Sequence, residues 1–271
     1  MVKFVATPIG NLGDISLRAL DSLREADVIF CEDTRHSLKL LNYYDIKKPL
    51  VSCHKFNELS AAEKLIAMAK EGKNIAVVTD AGTPVISDPG NLIVQALRDS
   101  GIDYTLIPGA CAFVAALVLS GFPADKFAFL GFLRGKTAEK KAYLKKYAAF
   151  EGTLIFYSAP QDVDSDILML ADALGNRDAC AVREITKMHE SLDYFKLCEG
   201  LSGEKRGEYV LVVAGAAARE NPLNALTEIE HINYYMDQGM DVKEALKAAA
   251  KDRGVSKSEL YKYTIKDHPK K

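Results

Sequence analysis

No Cys-x-x-Cys pair occurs in this chain of 271 residues, and its five cysteines, Cys31, Cys53, Cys111, Cys180 and Cys198, are odd in number and far apart. That excludes a disulfide framework and leaves no zinc-ligand spacing, so a reducing, cytoplasmic setting is expected, without a metal. Long hydrophobic runs are absent too. The longest, Ala110–Leu119, is too short to span a bilayer, and the apolar stretch within MVKFVATPIG is too short for a signal peptide. No membrane segment is expected. Charge of one sign is not in excess: 35 Lys and Arg face 37 Asp and Glu, a net charge of −2. The chain therefore lacks the globally basic surface by which nucleic-acid binders gain phosphate affinity. Neither G-x-x-x-x-G-K-[ST] nor G-x-G-x-x-G is present, which argues against a P-loop, a standard dinucleotide fold and a polyphosphate cofactor. There is no internal repeat and no low-complexity segment.

What is there is a well-packed composition, 48% hydrophobic and 27% charged, at a length sufficient for two compact domains. The first part alternates apolar runs of strand length (3–6, 28–31, 50–53, 75–79 and 104–107) with amphipathic stretches at 17–25, 60–71 and 92–100. This predicts a mostly parallel sheet with helices on both faces over residues 1–120. The pattern breaks near Gly121–Pro123. Strands near 127–130, 153–157, 179–183, 192–197 and 209–213, with helices at 138–148 and 163–174, predict a mixed α/β sheet domain over 121–218. A helical tail, 219–271, follows. In it Asp241 with Glu244 and Ser256 with Glu259 read as capping boxes, Val242, Leu246 and Ala249 share a face, and Gly254 makes the turn. The tail is thus helix-turn-helix-like, which admits a DNA-binding module, a packed helical hairpin or an RNA-contacting appendage.

Three Gly/Pro-rich turns follow apolar runs in the first domain: Ala6–Asp14 (ATPIGNLGD), Val77–Gly90 (VVTDAGTPVISDPG) and Pro108–Ala112 (PGACA). Parallel strands share a carboxyl edge, so the three turns should meet there and build one ligand site. Gly82, Pro84, Pro89 and Gly90 forbid regular structure and leave the backbone bare for close approach. Charged candidates flank this edge. Glu32, Asp33, Arg35 and His36 follow the second strand, and Arg183, Glu184, Lys187 and Glu190 follow a strand of the second domain.

Seven blocks carry a resemblance: TPIGNLGDISLRAL (7–20), CEDTRHSLKLL (31–41), TDAGTPVISDPG (79–90), PGACAFVAALVLSGFP (108–123), FLGFL (129–133), REITKMHE (183–190) and GEYVLVV (207–213). In this order they resemble the class III, tetrapyrrole-methylase-like S-adenosylmethionine methyltransferases, and among them the bacterial RsmI-type 16S rRNA (cytidine 2′-O)-methyltransferases. The resemblance implies a two-domain fold, S-adenosyl-L-methionine as cofactor, a homodimer, and as substrate a cytidine 2′-hydroxyl in the decoding region of small-subunit rRNA, in the assembled 30S subunit. It also implies that Gly82, Thr83, Pro84 and Ile86 lie against the cofactor, with Pro8, Asp80, Ser87, Cys111 and Ala112 nearby. Tyr157, Val213 and Ala214 would be contributed from the second domain.

A base helps proton removal from a ribose hydroxyl but need not be strong, and Lys187 is the first candidate, because burial and like charge lower a lysine pKa. Glu32, Asp33 and Glu184 are further catalytic candidates. Arg35 and Arg183, with Arg134 and Lys136 of the basic run 134–146, are candidates for RNA phosphate. Simpler readings stand beside these. Asp80 can order its turn, Cys111 can be a small apolar residue, Tyr157 a core aromatic, CEDTR a helix start and the basic run a solvated helix face. The chain departs from the family pattern at FYSAPQD (156–162), where FYESPHR is usual, and at GFLRGK (131–136), where GFLPRK is usual. A tetrapyrrole or other small-molecule methylase, or a non-catalytic binder of S-adenosylmethionine or RNA, is the alternative.

Overall fold

The computed structural model describes residues 1–217 and 222–264, so 218–221 and 265–271 of the expected tail lie outside the described residues. Met1–Ala216 form one compact unit and Ala217–Lys271 a second.

The first half of the larger unit runs β1 (Val2–Val5), α1 (Leu17–Glu25), β2 (Val28–Cys31), α2 (Thr34–Tyr43), β3 (Leu50–Ser52), α3 (Glu58–Lys70), β4 (Ile75–Val77), α4 (Asn91–Asp99), β5 (Tyr104–Ile107) and α5 (Ala112–Ser120). The strands pair in parallel in the order β3-β2-β4-β1-β5. Side chains alternate across a strand, so one set must face each helix layer. Val2, Phe4, Phe30 and Val77 pack with Leu65 of α3 and Ile93 and Leu97 of α4, whereas Ile29, Cys31 and Ala76 pack with Ala19 and Leu23 of α1 and Leu41 of α2. Helices cover both faces, as expected. The α2 and α5 helices were absent from the periodicity reading.

The second half comprises β6 (Phe127–Phe132), α6 (Thr137–Lys145), β7 (Thr153–Ser158), α7 (Val163–Leu174), β8 (Asp178–Arg183), β9 (Ser191–Lys196) and β10 (Tyr209–Val213). Its order is β6-β7-β10-β8-β9. Only the β6–β7 pair is parallel, so the sheet is mixed. One face packs on α6 and α7 through Leu154, Phe156, Leu211, Leu144, Ile167 and Leu170. The other face packs on α5: Ala116 and Leu117 meet Ile155, Cys180, Val182 and Val212. By sequence α5 follows the first sheet, yet by packing it belongs to the second. That placement fixes the two sheets against each other across the turn before α5.

The smaller unit contains α8 (Glu228–Asp237), α9 (Val242–Arg253) and α10 (Lys257–Thr264). Asp241 caps α9, accepting from Glu244 N at 2.8 Å, and Gly254 turns the chain at φ 64°. Leu246, Ala249 and Leu260 form its core with Ile232 of α8, a helix the sequence reading did not separate. His231 is buried there. Its Nε2 lies 3.2 Å from Asp252 Oδ2, and its Nδ1 accepts from Arg253 Nε at 3.1 Å.

Candidate active site

The carboxyl edge of the first sheet and one end of the second enclose a cavity of about 560 Å³. The three turns contribute as expected: Ile9, residues 80–83 and 86–88, and Cys111 with Ala112 line it. Thr7 and Gly82 exchange backbone hydrogen bonds of 2.9 and 3.1 Å, which ties the first turn to the second. Gly82 has φ +86°, and a Cβ there would stand 3.2 Å from Ile9 Cγ2. The third turn is held by Thr83 Oγ1, which donates to Ala110 O at 3.1 Å. Val85 and Ser87 also hold positive φ, 76° and 67°. A β-branched residue in that region is strained, and strain of this kind concentrates at functional sites.

Carboxylates dominate the charged lining. Glu32, Asp80, Asp88, Glu184 and Glu208 line the cavity together with one cation, Lys187. Burial, with Asp88 and Asp80 nearby, raises the Glu32 pKa above its ordinary value. Burial raises that of Asp88 as well, although Thr79 Oγ1 donates to it at 2.7 Å. Asp80 orders the loops, its Oδ1 accepting from Asp33 N at 3.1 Å. Neither Asp88 nor Glu208 was singled out from sequence. Both sit inside blocks already quoted for the resemblance.

Lys187 departs from expectation in its charge state. Its Nζ is 2.9 Å from Glu184 Oε1 and 3.2 Å from Glu208 Oε2. Burial favours the neutral amine, but the two carboxylates outweigh it and the pKa is raised. Lys187 is therefore not the neutral base expected from sequence: its two carboxylate partners favour the ammonium form. Glu184, at φ 50°, also accepts from Glu208 N at 3.0 Å, and these contacts lower its pKa against the effect of burial. Its loop reaches the first half, where Thr186 Oγ1 donates to Asp14 Oδ2 at 2.5 Å.

Asp33 is committed elsewhere. It caps α2 by accepting from Arg35 N at 2.8 Å and pairs with the Arg35 guanidinium at 2.7 Å, which holds its carboxyl far below the usual range. The helix-start reading of CEDTR describes what Asp33 does. Val213 and Ala214 are not at the cavity. Because β10 runs antiparallel to both neighbours, its amino end, Tyr209 and Val210, lines the site, while Val213 is buried opposite Leu154 at the far end. Pro8 and Pro84 are buried behind the turns rather than lining the cavity. Tyr157 does line it, and its hydroxyl accepts from Phe113 N at 3.2 Å, serving the start of α5. Burial raises the Cys111 thiol pKa, consistent with a small packing residue at the N-cap of α5.

Of the phosphate candidates, Arg35 is paired with Asp33, and Arg183 Nε donates to Ser191 Oγ at 3.2 Å. Arg134 and Lys136 are exposed in the segment after β6, whose Phe132 lines the cavity. Within the same basic run Lys140 and Lys141 are turned to α7, 3.6 Å from Asp166 and 2.8 Å from Asp172. Among the described residues no cluster of His, Cys, Asp and Glu is placed to hold a metal ion, and no helix is long and apolar enough to cross a membrane.

A two-sheet chain with its cavity at the carboxyl edge of a parallel sheet matches a defined class. Residues 1–193 match the sequence model of the Tetrapyrrole (Corrin/Porphyrin) Methylases, and the chain belongs to that family. The solved structure of the methyltransferase CobJ superposes with a TM-score of 0.62 at 19% identity, covering 81% of this chain and 96% of that one, which speaks for the fold. Within the family, the chain is 42% identical over 270 residues to the ribosomal RNA small subunit methyltransferase I of Bacillus subtilis (strain 168), covering 96% of this chain and 92% of the relative. It is 41% identical over 269 residues to the protein of the same name from Halalkalibacterium halodurans, covering 95% and 92%. The chain is thus a member of the ribosomal RNA small subunit methyltransferase I group, as its seven blocks implied.

Proposed function

We propose that this chain transfers a methyl group from S-adenosylmethionine to the 2′-hydroxyl of a cytidine in the decoding region of small-subunit ribosomal RNA. The observation that carries the reading is the charge of the cavity combined with the group to which the chain belongs. Five carboxylates against one lysine, whose charge is already paired with two of them, repel a polyphosphate and suit a cationic ligand. The bare backbone at Gly82, where a Cβ would crowd Ile9, fits a ligand held by main-chain amides and carbonyls.

S-adenosylmethionine, when bound, supplies an electrophilic methyl on a sulfonium. Gly82, Thr83, Ile86, Ser87, Cys111, Ala112 and Tyr157 are the residues that would hold it, with Asp80 ordering their loops. Glu32 takes the proton from the ribose oxygen, because its raised pKa makes it a stronger base than an exposed carboxylate. Lys187, kept charged by Glu184 and Glu208, offsets the negative charge developing on that oxygen. Walls from both sheets exclude water.

The assembled 30S subunit in the cytoplasm is the proposed substrate, since an acidic cavity supplies no phosphate affinity and a shaped ribonucleoprotein surface can add contacts. A homodimer is supported by exposed apolar side chains on edge strand β5 (Tyr104, Leu106) and on α5 (Val114, Val118). The test is methyl transfer from labelled S-adenosylmethionine to small subunits lacking the modification, with the methylated nucleotide mapped and Lys187→Ala run beside the wild type. Incorporation at one decoding-region cytidine, lost in Lys187→Ala, is the expected result. Cofactor binding with no incorporation into subunits overturns the reading and leaves a small-molecule methylase or a binder.

A further inference from the structure

The loop leaving β3 ends on Phe56, a large aromatic that is 93% exposed. Phenylalanine is among the side chains most often withdrawn from water, so its position needs a reason. The loop itself is tightly set. Asn57 Oδ1 accepts from His54 N at 2.8 Å, Asn57 N donates to His54 O at 3.0 Å, and Asn57 Nδ2 donates to Ser52 O at 3.1 Å. Phe56 N donates to His54 Nδ1 at 3.3 Å, and the two rings meet edge-on with centroids 6.1 Å apart. Phe56 is thus projected from a fixed turn.

No residue of the turn lines the cavity, but the start of the turn touches the main chain of Glu32, which does. Cys53 N donates to Cys31 O at 2.7 Å and Ser52 Oγ lies 3.5 Å from Glu32 O, which places the loop beside the proposed base. A cation adjoins the ring in sequence, the exposed Lys55, and α2, which contacts β3, carries the exposed Lys39.

An RNA substrate sets a requirement that the cavity does not meet. Its carboxylates repel phosphate, so affinity for RNA has to come from the rim. RNA read outside duplexes is held by stacking unstacked bases on aromatic rings, with cations on the flanking phosphates. We propose that Phe56 is a stacking platform for an unpaired nucleobase near the nucleotide whose ribose enters the cavity, with Lys55 meeting an adjoining phosphate. This rests on the RNA methylation reading above.

The experiment uses four substitutions at this exposed position, where packing places no demand. Phe56→Ala should raise KM for small subunits by about 5- to 100-fold, with kcat and the Kd for S-adenosylmethionine little changed. Phe56→Tyr should restore KM to within about twofold, since a stacking face is what counts, whereas Phe56→Leu, apolar without a π face, should not. The chain has no tryptophan, so Phe56→Trp adds a single fluorophore whose emission base stacking should quench. Rescue by leucine as good as by tyrosine, or no quenching on subunits that are being methylated, overturns the platform and points to a protein contact. If the wild type methylates no RNA, the functional reading fails on its own. Quenching of Phe56→Trp by a single-stranded cytidine-containing oligonucleotide then decides the platform separately.

Discussion

A Cβ on Gly10 would stand 2.5 Å from Cγ and 3.1 Å from Cε of Lys187, two residues 177 positions apart, so the first turn of the chain is shaped around a lysine of the second sheet. The nearest contact is at Cγ, close to the root of the lysine, with Cε further along the stem, and Ile185 O, at 3.2 Å, closes another side. Glu184 and Glu208 anchor the ammonium, so the stem cannot swing away without breaking both ion pairs. Gly10→Ala should leave the fold intact while lowering kcat by about 100-fold, the scale of a displaced catalytic group. Circular dichroism with single-turnover methylation checks it. Activity within a factor of two of wild type would show that the position of Lys187 is immaterial.

Glu32 should impose an acid limb on kcat/KM. Burial and the charges of Asp88 and Asp80 raise its pKa, so the limb falls above the ordinary value of 4.5. Glu32→Gln should lower the rate by about 10²- to 10⁴-fold and remove the limb. Stability should move the other way. A carboxyl whose folded pKa is raised destabilises the fold while ionised, and that cost disappears as pH falls through the folded pKa. The neutral glutamine should therefore raise the urea midpoint at pH 7 and lose its advantage in acid. A pH–rate profile and urea titrations at two pH values test both halves.

Much of this arrangement was legible in the sequence, and what was missed has a physical pattern. The β1, β2, β4 and β5 runs and their Gly/Pro turns are local signals, and local signals gave the first sheet and its carboxyl edge. Helix α5 was hidden because Ala112–Ser120 is almost uniformly apolar and shows no helical stripe. Glu208 was hidden because its meeting with Lys187 arises from pairing Tyr209 with Arg183, a relation between distant segments. The same antiparallel pairing reversed the expectation for β10: a strand's direction decides which end faces the site, and composition does not record it. The charge of Lys187 was misjudged because one of its two carboxylate partners, Glu208, is distant in the sequence, although Glu184 stands three residues before it.

Tyr157 does two things that one substitution can separate. Its ring lines the cavity, and its hydroxyl accepts from Phe113 N, an amide in the first turn of α5 that has no partner within the helix. Tyr157→Phe keeps the ring and leaves that N–H without its acceptor. The expected cost is about 1–3 kcal/mol of stability. Because α5 joins the two sheets, the loss should appear as a lower midpoint of one cooperative urea transition, and an unchanged midpoint would mean that water replaces the hydroxyl.

The wall of the cavity at Ser158–Gln161 departs from the family pattern, and it is anchored by a buried pair. Ser158 Oγ donates to Asp166 Oδ2 at 2.7 Å, Lys140 Nζ stands 3.6 Å from Oδ1, and Oδ1 itself has no hydrogen-bond partner. Burial raises the Asp166 pKa although Ser158 and Lys140 both oppose it. Ser158→Ala should then cost about 1–3 kcal/mol above the folded pKa of Asp166, where the ionised carboxylate loses its hydrogen-bond donor. As pH falls through the folded pKa of Asp166 the carboxyl becomes neutral, needs the donor less, and the cost should shrink. Urea unfolding of Ser158→Ala and wild type at pH 7 and pH 5 measures the difference. A cost equal at both values would mean that Asp166 holds its charge state across that interval, and that the hydroxyl positions the wall without compensating a buried charge.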